Sequence, residues 1–446
     1  MHFFRFLCSF AVMIELPPKI NPNEMPGSPK SGSALAEKLI QLNDEYLYWT
    51  DVKYKAQSTG LSSKELWREV KESRSRRDVV VWPEFGLHFS LTDRMQRLCH
   101  EFDLNFGGSW GAMKLFPQDK LNQELYLISS VMEEAISSSQ MEGASTTREI
   151  AKEMLRSKKE PRDRSQRMIA NNFRTIQFIS SKKNEPLTPQ LLLQVHELMT
   201  AGTLENPENS GRFRINDDVV VGNDLTGEIV HRPPTHTCLE SFAEKLCDYF
   251  NNSSPGVFLH PIIKGLVIHF VIAYYHPFTD GNGRTARALF YWYMMKENYW
   301  LVEYLSISRI IYKSKSKYEK SFLFTENDGN DLGYFITYNL DVLSKAFDEL
   351  KRYLQKKQAE RKRADRFMHL DGISHQQSEI VRMFYDDGDT TLQAKDVAVR
   401  LGVSRVTAKS YLDGLVTKGI LKRLQPDGRT HAYARSENFD EIVGSI

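Results

Sequence analysis

Residues His276 to Arg287 read His-Pro-Phe-Thr-Asp-Gly-Asn-Gly-Arg-Thr-Ala-Arg. Histidine has an ordinary pKa near neutrality, so His276 can take a proton at physiological pH. Gly281 and Gly283 flank Asn282, and glycines there let the backbone turn sharply with its N–H groups pointing outward. A helix predicted from Arg284 onward adds the positive end of its dipole, which makes an anion site. Arg284 and Arg287 lie three apart on that helix, so both guanidinium forks can grip phosphates from one side. Asp280 is a hard oxygen ligand beside them and suits Mg²⁺. Singly, each feature is ordinary: a turn, a solvated helix face, a structural histidine. Together they describe a base beside a site for a metal-bound polyphosphate.

Several elements must position this loop. The run Gly265 to Tyr275 is almost wholly apolar and predicts a buried helix that Pro277 stops. Upstream, Leu121, Leu125, Ile128, Val131, Met132 and Ala135 recur at helical spacing, and Gly143 ends that helix. Thr146 and Glu149 suggest a capping box for the next one. From Leu187 to Leu340 the pattern is mainly helical, with Pro189 in a first turn. One island, Asn206 to Pro234, holds glycines and short β-branched runs instead. Asp331 to Ala364 predicts a long helix. Its end, Lys351 to Arg366, carries eight Lys or Arg against two acidic residues and reads as a solvated spacer.

The segment 276–287 resembles the Fic motif, HxFx(D/E)GNGRxxR, and meets it at His276, Phe278, Asp280, Gly281, Asn282, Gly283, Arg284 and Arg287. The resemblance covers roughly residues 120–345. It implies a mainly α fold with a Fic helical core and a β-hairpin flap, and transfer of AMP from Mg-ATP to a protein hydroxyl. It also implies roles. His276 is the general base and Phe278 packs the loop. Asp280 holds Mg²⁺. The amides of Gly281, Asn282 and Gly283 form an anion hole. Arg284 and Arg287 steady the phosphates, with Arg287 nearest the γ-phosphate. Upstream, Ser138, Glu142 and Gly143 match the family's inhibitory pattern (S/T)xxxE(G/N), which implies that Glu142 can pair with Arg287 and misplace ATP. In the island, Ile229 and Val230 suit the flap edge that docks a target by strand addition, ended by Pro233-Pro234. A Tyr, Thr or Ser hydroxyl, on another protein or on this chain, fits equally.

Residues 373–446 resemble a winged helix-turn-helix. Ala394 to Leu401 reads as a helix, and Ser404 caps the next, in which Ala408, Leu412 and Leu415 face inward. Arg405 and Lys409 face outward as candidate DNA contacts, and Lys422, Arg423 and Arg429 lie on a hairpin wing around Pro426-Asp427-Gly428. The module is not strongly basic, so DNA contact and protein contact or dimerisation stand level. This gives a second reading of the whole chain, a nucleotide-sensing DNA-binding regulator.

Bulk properties frame these readings. The chain has 446 residues, 41% hydrophobic and 26% charged, with a net charge of +2. That is ordinary for a globular protein of roughly three units and too little charge to make nucleic acid the default partner. No apolar run reaches membrane-spanning length. Cys8, Cys99, Cys238 and Cys247 form no CxxC pair and read as thiols of a reducing compartment, which points to the cytoplasm. The start, Met1 to Met13, loosely resembles a signal peptide, but Arg5 breaks its apolar stretch. A true start at Met13, or disorder, fits better. The expected organisation is a disordered leader 1–35, an N-terminal helical region 36–150 with the inhibitory motif, a Fic core 151–345, a basic linker helix 346–372 and the winged helix 373–446.

Overall fold

The computed structural model describes residues 14–20, 34–107, 120–222, 227–252, 258–368, 372–386, 391–424 and 431–444. The fold is mainly α, in two compact units, Met1–Leu350 and Lys351–Ile446. Among the described residues no helix is long and apolar enough to cross a membrane. Most of the expected leader, including Cys8 and Met13, lies outside the described residues. Residues 14–20, also expected to be disordered, are instead tied down at Glu15, whose carboxylate accepts from the Trp49 indole N–H at 2.8 Å and pairs with Lys53.

The first unit opens with α1 (Ala34–Asp44), α2 (Trp49–Lys55) and α3 (Ser63–Ser75). Ser62 and Glu65 cap α3 reciprocally, side chain to backbone N–H in each direction. An antiparallel hairpin follows, β1 (Asp78–Trp82) with β2 (Leu87–Ser90), and then α4 (Asp93–Phe102). The helix-rich expectation for this region overlooked the hairpin, although Val79-Val80-Val81 carries its β-branched signal. Next come α5 (Lys120–Met141), α6 (Arg148–Arg156), α7 (Arg164–Ser181) and α8 (Pro189–Thr200). The capping box expected at Thr146 and Glu149 does not form. Thr147 caps α6 by accepting from the Ile150 N–H, one residue later.

Among its described residues, the island between α8 and α9 (Leu239–Asn251) holds short 3₁₀ turns and one two-stranded antiparallel hairpin, β3 (Val221–Gly222) with β4 (Ile229–His231). Its tip, including Thr226, lies outside the described residues. Next, α10 (Pro261–Tyr275) and α11 (Asn282–Lys296) pack together as the centre of the core. Every residue from Ile262 to Ile272 and from Asn282 to Met295 is buried. Helices buried all round show no amphipathic stripe, so their period is invisible in sequence and only length and flanking Pro and Gly reveal them. Then come α12 (Ile307–Lys313), α13 (Lys315–Asn327) and α14 (Gly333–Met368). The last begins two residues later and ends four later than the expected Asp331–Ala364.

The N-terminal helices are fastened to the start of α14 by a buried polar cluster. The Tyr46 hydroxyl donates to Asp331 Oδ1 at 2.5 Å, Lys71 pairs with Asp328 and Asp331, and the Arg74 guanidinium lies 4.1 Å from the Tyr46 ring centroid. Such charges persist in a core only when each has its partners. In the second unit, α15 (His375–Asp386), β5 (Leu392–Gln393), α16 (Ala394–Leu401), α17 (Arg405–Thr417), β6 (Leu421–Leu424), β7 (Ala432–Arg435) and α18 (Phe439–Gly444) enclose Ile380, Phe384, Val397, Leu412, Leu415 and Tyr433. The strands form one sheet in the order β5-β7-β6, all antiparallel.

A β-carbon on Gly333 would lie 1.7 Å from Cζ of Tyr46, itself held by Asp331. Gly333→Ala is expected to destabilise the first unit by about 1–3 kcal/mol, as overpacking does. Denaturant unfolding checks this; an unchanged midpoint would show that Tyr46 is not rigidly held.

Candidate functional site

The packing of α10 against α11 leaves a six-residue connection, 276–281, whose backbone is forced by its ends. His276 adopts a left-handed conformation (φ 46°) as the C-cap of α10, its N–H donating to the Ile272 carbonyl. Gly281 (φ 84°) precedes α11, which therefore starts at Asn282, two residues before the expected Arg284. A β-carbon on Gly281 would also lie 2.8 Å from Cγ2 of Thr200, so glycine is required twice over.

Side chains then lock the connection. Asn282 bridges it: its Oδ1 accepts from the Phe278 N–H at 2.9 Å and its Nδ2 donates to the Phe278 carbonyl at 2.8 Å. Phe278 is buried and stacks on His196 at 3.7 Å between ring centroids. His196 accepts from the Gly211 N–H at Nδ1 and donates from Nε2 to the Asp280 carbonyl at 2.9 Å, which defines a neutral tautomer. Burial lowers its pKa to about 4. Arg214 works from the other side. It donates to the carbonyls of His276 and Asn216 and to Asp217, and its backbone N–H reaches the Pro277 carbonyl at 2.9 Å. A buried guanidinium thus joins the backbone of the 276–281 connection to the base of the β3–β4 island.

The expected site residues divide as follows. His276 is buried, and its Nδ1–H donates to the Ala273 carbonyl at 2.7 Å, so Nε2 carries the lone pair. Burial lowers its pKa to about 4, which leaves it in the proton-accepting form at neutral pH. Asp280 accepts from the Gly281 N–H at 2.5 Å, and its other oxygen faces Arg164 at 3.3 Å. Arg284 and Arg287 are both fully buried. Arg284 donates once, to the Met199 carbonyl, and its Nε and Nη2 have no hydrogen-bond partner. Burial lowers its pKa. Arg287 donates to the Ser138 hydroxyl at 2.9 Å, the Ser138 carbonyl at 3.1 Å and the Glu142 carboxylate at 2.9 Å, while its Nη1 has no partner. Gly143 (φ 91°) closes the turn after α5 that presents Glu142. Ile229 and Val230 lie on β4, half-buried. Arg405 and Lys409 lie on α17 in the second unit, exposed on the face opposite Ala408, Leu412 and Leu415. Of the expected wing, Lys422 is exposed, Arg423 is held by Asp413 at 2.6 Å, and Arg429 with Pro426-Asp427-Gly428 lies outside the described residues.

Two buried arginines with unfilled N–H groups at the start of a helix make a receptor for an anion carrying more than one charge. One carboxylate at the mouth of that receptor fits Mg²⁺, which keeps waters and draws further ligands from phosphate. Beside it opens a pocket lined mainly by apolar groups, among them Met141, Val221, Val230, Tyr274 and Phe322, of a kind that accepts a flat base. Sequence reading assigned no role to His196, Arg214, Arg164 or His231. Each acts through a partner distant in sequence, so spacing carried no signal for them. Trp82 and Phe85 buttress the end of α10. The Trp82 indole donates to the Tyr275 hydroxyl at 3.1 Å, and Phe85 packs on Tyr274 and Tyr275.

His196 and His276, each lowered to about 4, and His269, lowered to about 3, are all buried neutral. Unfolding would free them to bind protons below about pH 6.5. Over that window the unfolded state holds more protons, so stability is full above 6.5 and falls as pH drops toward 4. Thermal unfolding from pH 7 to 5 is expected to show a falling Tm, with a shallower fall in His269→Asn. Equal slopes would mean that His269 is not held neutral.

Residues 186–294 match the Fic/DOC family. The chain is 33% identical over 108 residues to the protein adenylyltransferase Fic of Nematostella vectensis, which covers 24% of this chain and 23% of that one. It is 28% identical over 162 residues to the protein of the same name from Drosophila mojavensis, covering 36% and 28%. The chain thus spans about a quarter of the length of these relatives. The crystal structure of a Fic family protein from Desulfovibrio desulfuricans G20 superposes with a TM-score of 0.53 at 20% identity, covering 78% of this chain and 98% of that one, which shows a shared fold. With the histidine, the glycine turn and the paired arginines all inside the matched stretch, this chain carries a Fic domain.

Proposed function

We propose that this protein is an adenylyltransferase that moves AMP from Mg-ATP to a hydroxyl side chain of a target protein, and that Glu142 restrains it. The observation that carries this reading is the unfilled donor set of Arg284 and Arg287 beside His276, whose proton-accepting nitrogen is Nε2. The triphosphate rests on the start of α11, with Arg284 and Arg287 neutralising its charge. Mg²⁺, held by Asp280, supplies further charge neutralisation on the phosphates. His276 Nε2 takes the proton of a Tyr, Thr or Ser hydroxyl. Its oxygen bonds to the α-phosphorus as the bond to the β-phosphate oxygen breaks, and pyrophosphate leaves. Positioning and preset charge do most of this work. The target segment docks as an added strand along Ile229 and Val230, which leaves its side-chain sequence largely free.

Glu142 restrains the reaction because it occupies the Arg287 donor meant for the outermost phosphate. ATP bound beside that pair lacks its anchor, and its α-phosphate sits away from His276. The chain then divides into a helical region to about residue 150, a Fic core to 345, a linker and a C-terminal winged helix. For that last module, exposed Arg405 and Lys409 on α17 favour a nucleic-acid contact, the second reading.

ATP labelled on either the α- or the γ-phosphate, incubated with the protein and with cell lysate, tests the main reading. Protein-bound label is expected from the α position alone, several-fold or more higher in Glu142→Gly. In His276→Ala it should fall roughly 10²–10⁴-fold, the span of a general base. An unchanged rate in Glu142→Gly would remove the restraint from the account, and label from the γ position would replace the reaction class. For the C-terminal unit, a salt-dependent shift of duplex DNA lost in Arg405→Ala is expected. Binding unaltered by that change would turn the module toward protein contacts.

A further inference from the structure

His231 is the last residue of β4, the strand that borders the pocket beside His276. Its two ring nitrogens meet two acceptors from different elements. Nδ1 lies 2.8 Å from a carboxylate oxygen of Glu326 on α13, and Nε2 lies 2.7 Å from the carbonyl oxygen of Tyr274 near the end of α10. Neither partner can donate when Glu326 is ionised, so both hydrogen bonds exist together only if the ring carries both protons. The carbonyl belongs to a helix C-terminus, whose dipole favours a cation. The side chain is 9% exposed, so water does little to screen the pair. His196 has one donor and one acceptor role and His276 donates from Nδ1, and burial keeps both neutral; His231 has two donor roles.

We infer that His231 is a positioning residue that latches the β3–β4 flap as an imidazolium, and that loss of its second proton releases β4 and weakens docking of the target strand. This rests on the adenylyltransferase reading only in its last step; the latch itself does not. Among the described residues, few titratable or charged groups face the ring. From α13 they are Glu326, with Lys315, Tyr318 and Glu319 along the same pocket wall; from α10, Tyr274 and His276; on its own strand end, Arg232 adjoins it. Burial opposes the charge, but Glu326 and the Tyr274 carbonyl outweigh it and hold the ring's pKa above its ordinary value. The latch is therefore complete below about pH 6.5 and is lost as pH rises through that raised value. Since His276 stays in its accepting form down to about pH 4, the two histidines bound activity from opposite sides.

Nitrogen-15 spectra of the histidine-labelled full chain test the protonation. Two protonated ring nitrogens are expected for His231 below pH 6.5, with a titration above 6.5 that moves down in Glu326→Gln. A titration midpoint at or below 6.5 would overturn the latch. Hydrogen exchange of the β3 and β4 amides, corrected for intrinsic rates, tests its consequence. Protection is expected to fall about ten- to a hundredfold across the His231 titration, the value of one charge-assisted hydrogen bond. It should be low at every pH in His231→Gln and fall at lower pH in Glu326→Gln. Protection that ignores the titration would show that the charge does not hold the flap. Transfer of label from α-labelled ATP in the Glu142→Gly background should lose its alkaline decline in His231→Gln. If the exchange results hold and transfer fails at every pH, the latch stands and the reaction class does not.

Discussion

A guanidinium buried in a protein core is costly unless acceptors or an anion meet it, and Arg287 sets the terms for everything around it. It lies one turn into α11, inside a helix with no exposed face until Lys296. Its acceptors come from α5 and the turn after it: the hydroxyl and carbonyl of Ser138 and the carboxylate of Glu142. Burial works against the charge, and Glu142 leads the groups that more than offset it. The pair is therefore costly to break without a replacement anion. In the proposed function that replacement is a phosphate of ATP, so one guanidinium serves both the resting and the active arrangement.

The loop beside Arg287 is rigid for a related reason. Between two buried helices, the polar atoms of the connection need partners, and side chains from three elements supply several of them. Asn282 closes the loop on itself, His196 holds the Asp280 carbonyl, and Arg214 holds the carbonyl of His276. This places the proton-accepting histidine without making it charged. The low-dielectric setting that keeps His276 neutral also makes the charges of Arg284 and Asp280 act strongly at short range. His231 meets the same setting with two acceptors and so goes the other way.

The N-terminal helices enter this economy at a distance. Their buried cluster of Asp331, Lys71, Arg74 and Tyr46 pins the start of α14, and the β1–β2 hairpin presses Trp82 on the last turn of α10. The rigidity of the histidine loop is thus supported from a region whose sequence shows no chemistry of its own.

What the sequence determined by itself was local. The spacing of His276, Pro277, Gly281, Asn282 and Gly283 specified a turn between two helices, because such a turn needs a helix stop and residues that tolerate a left-handed backbone at those steps. The cap at Ser404, Pro189 at a helix start and the inward face of Ala408, Leu412 and Leu415 were legible for the same reason. The mainly helical character followed from them. Where a rule of thumb met a near tie, as between Thr146 and Thr147 at the start of α6, a single residue decided against it. The pairing of Arg287 with Glu142 across 145 residues was expected from the family resemblance, but tertiary structure alone decided the rest: that Arg214 reaches the His276 carbonyl, and that His231 lies between Glu326 and Tyr274. Protonation states belong to that second class. A histidine's charge is set by burial and by the donors or acceptors that folding brings to each ring nitrogen, and no spacing along the chain encodes them.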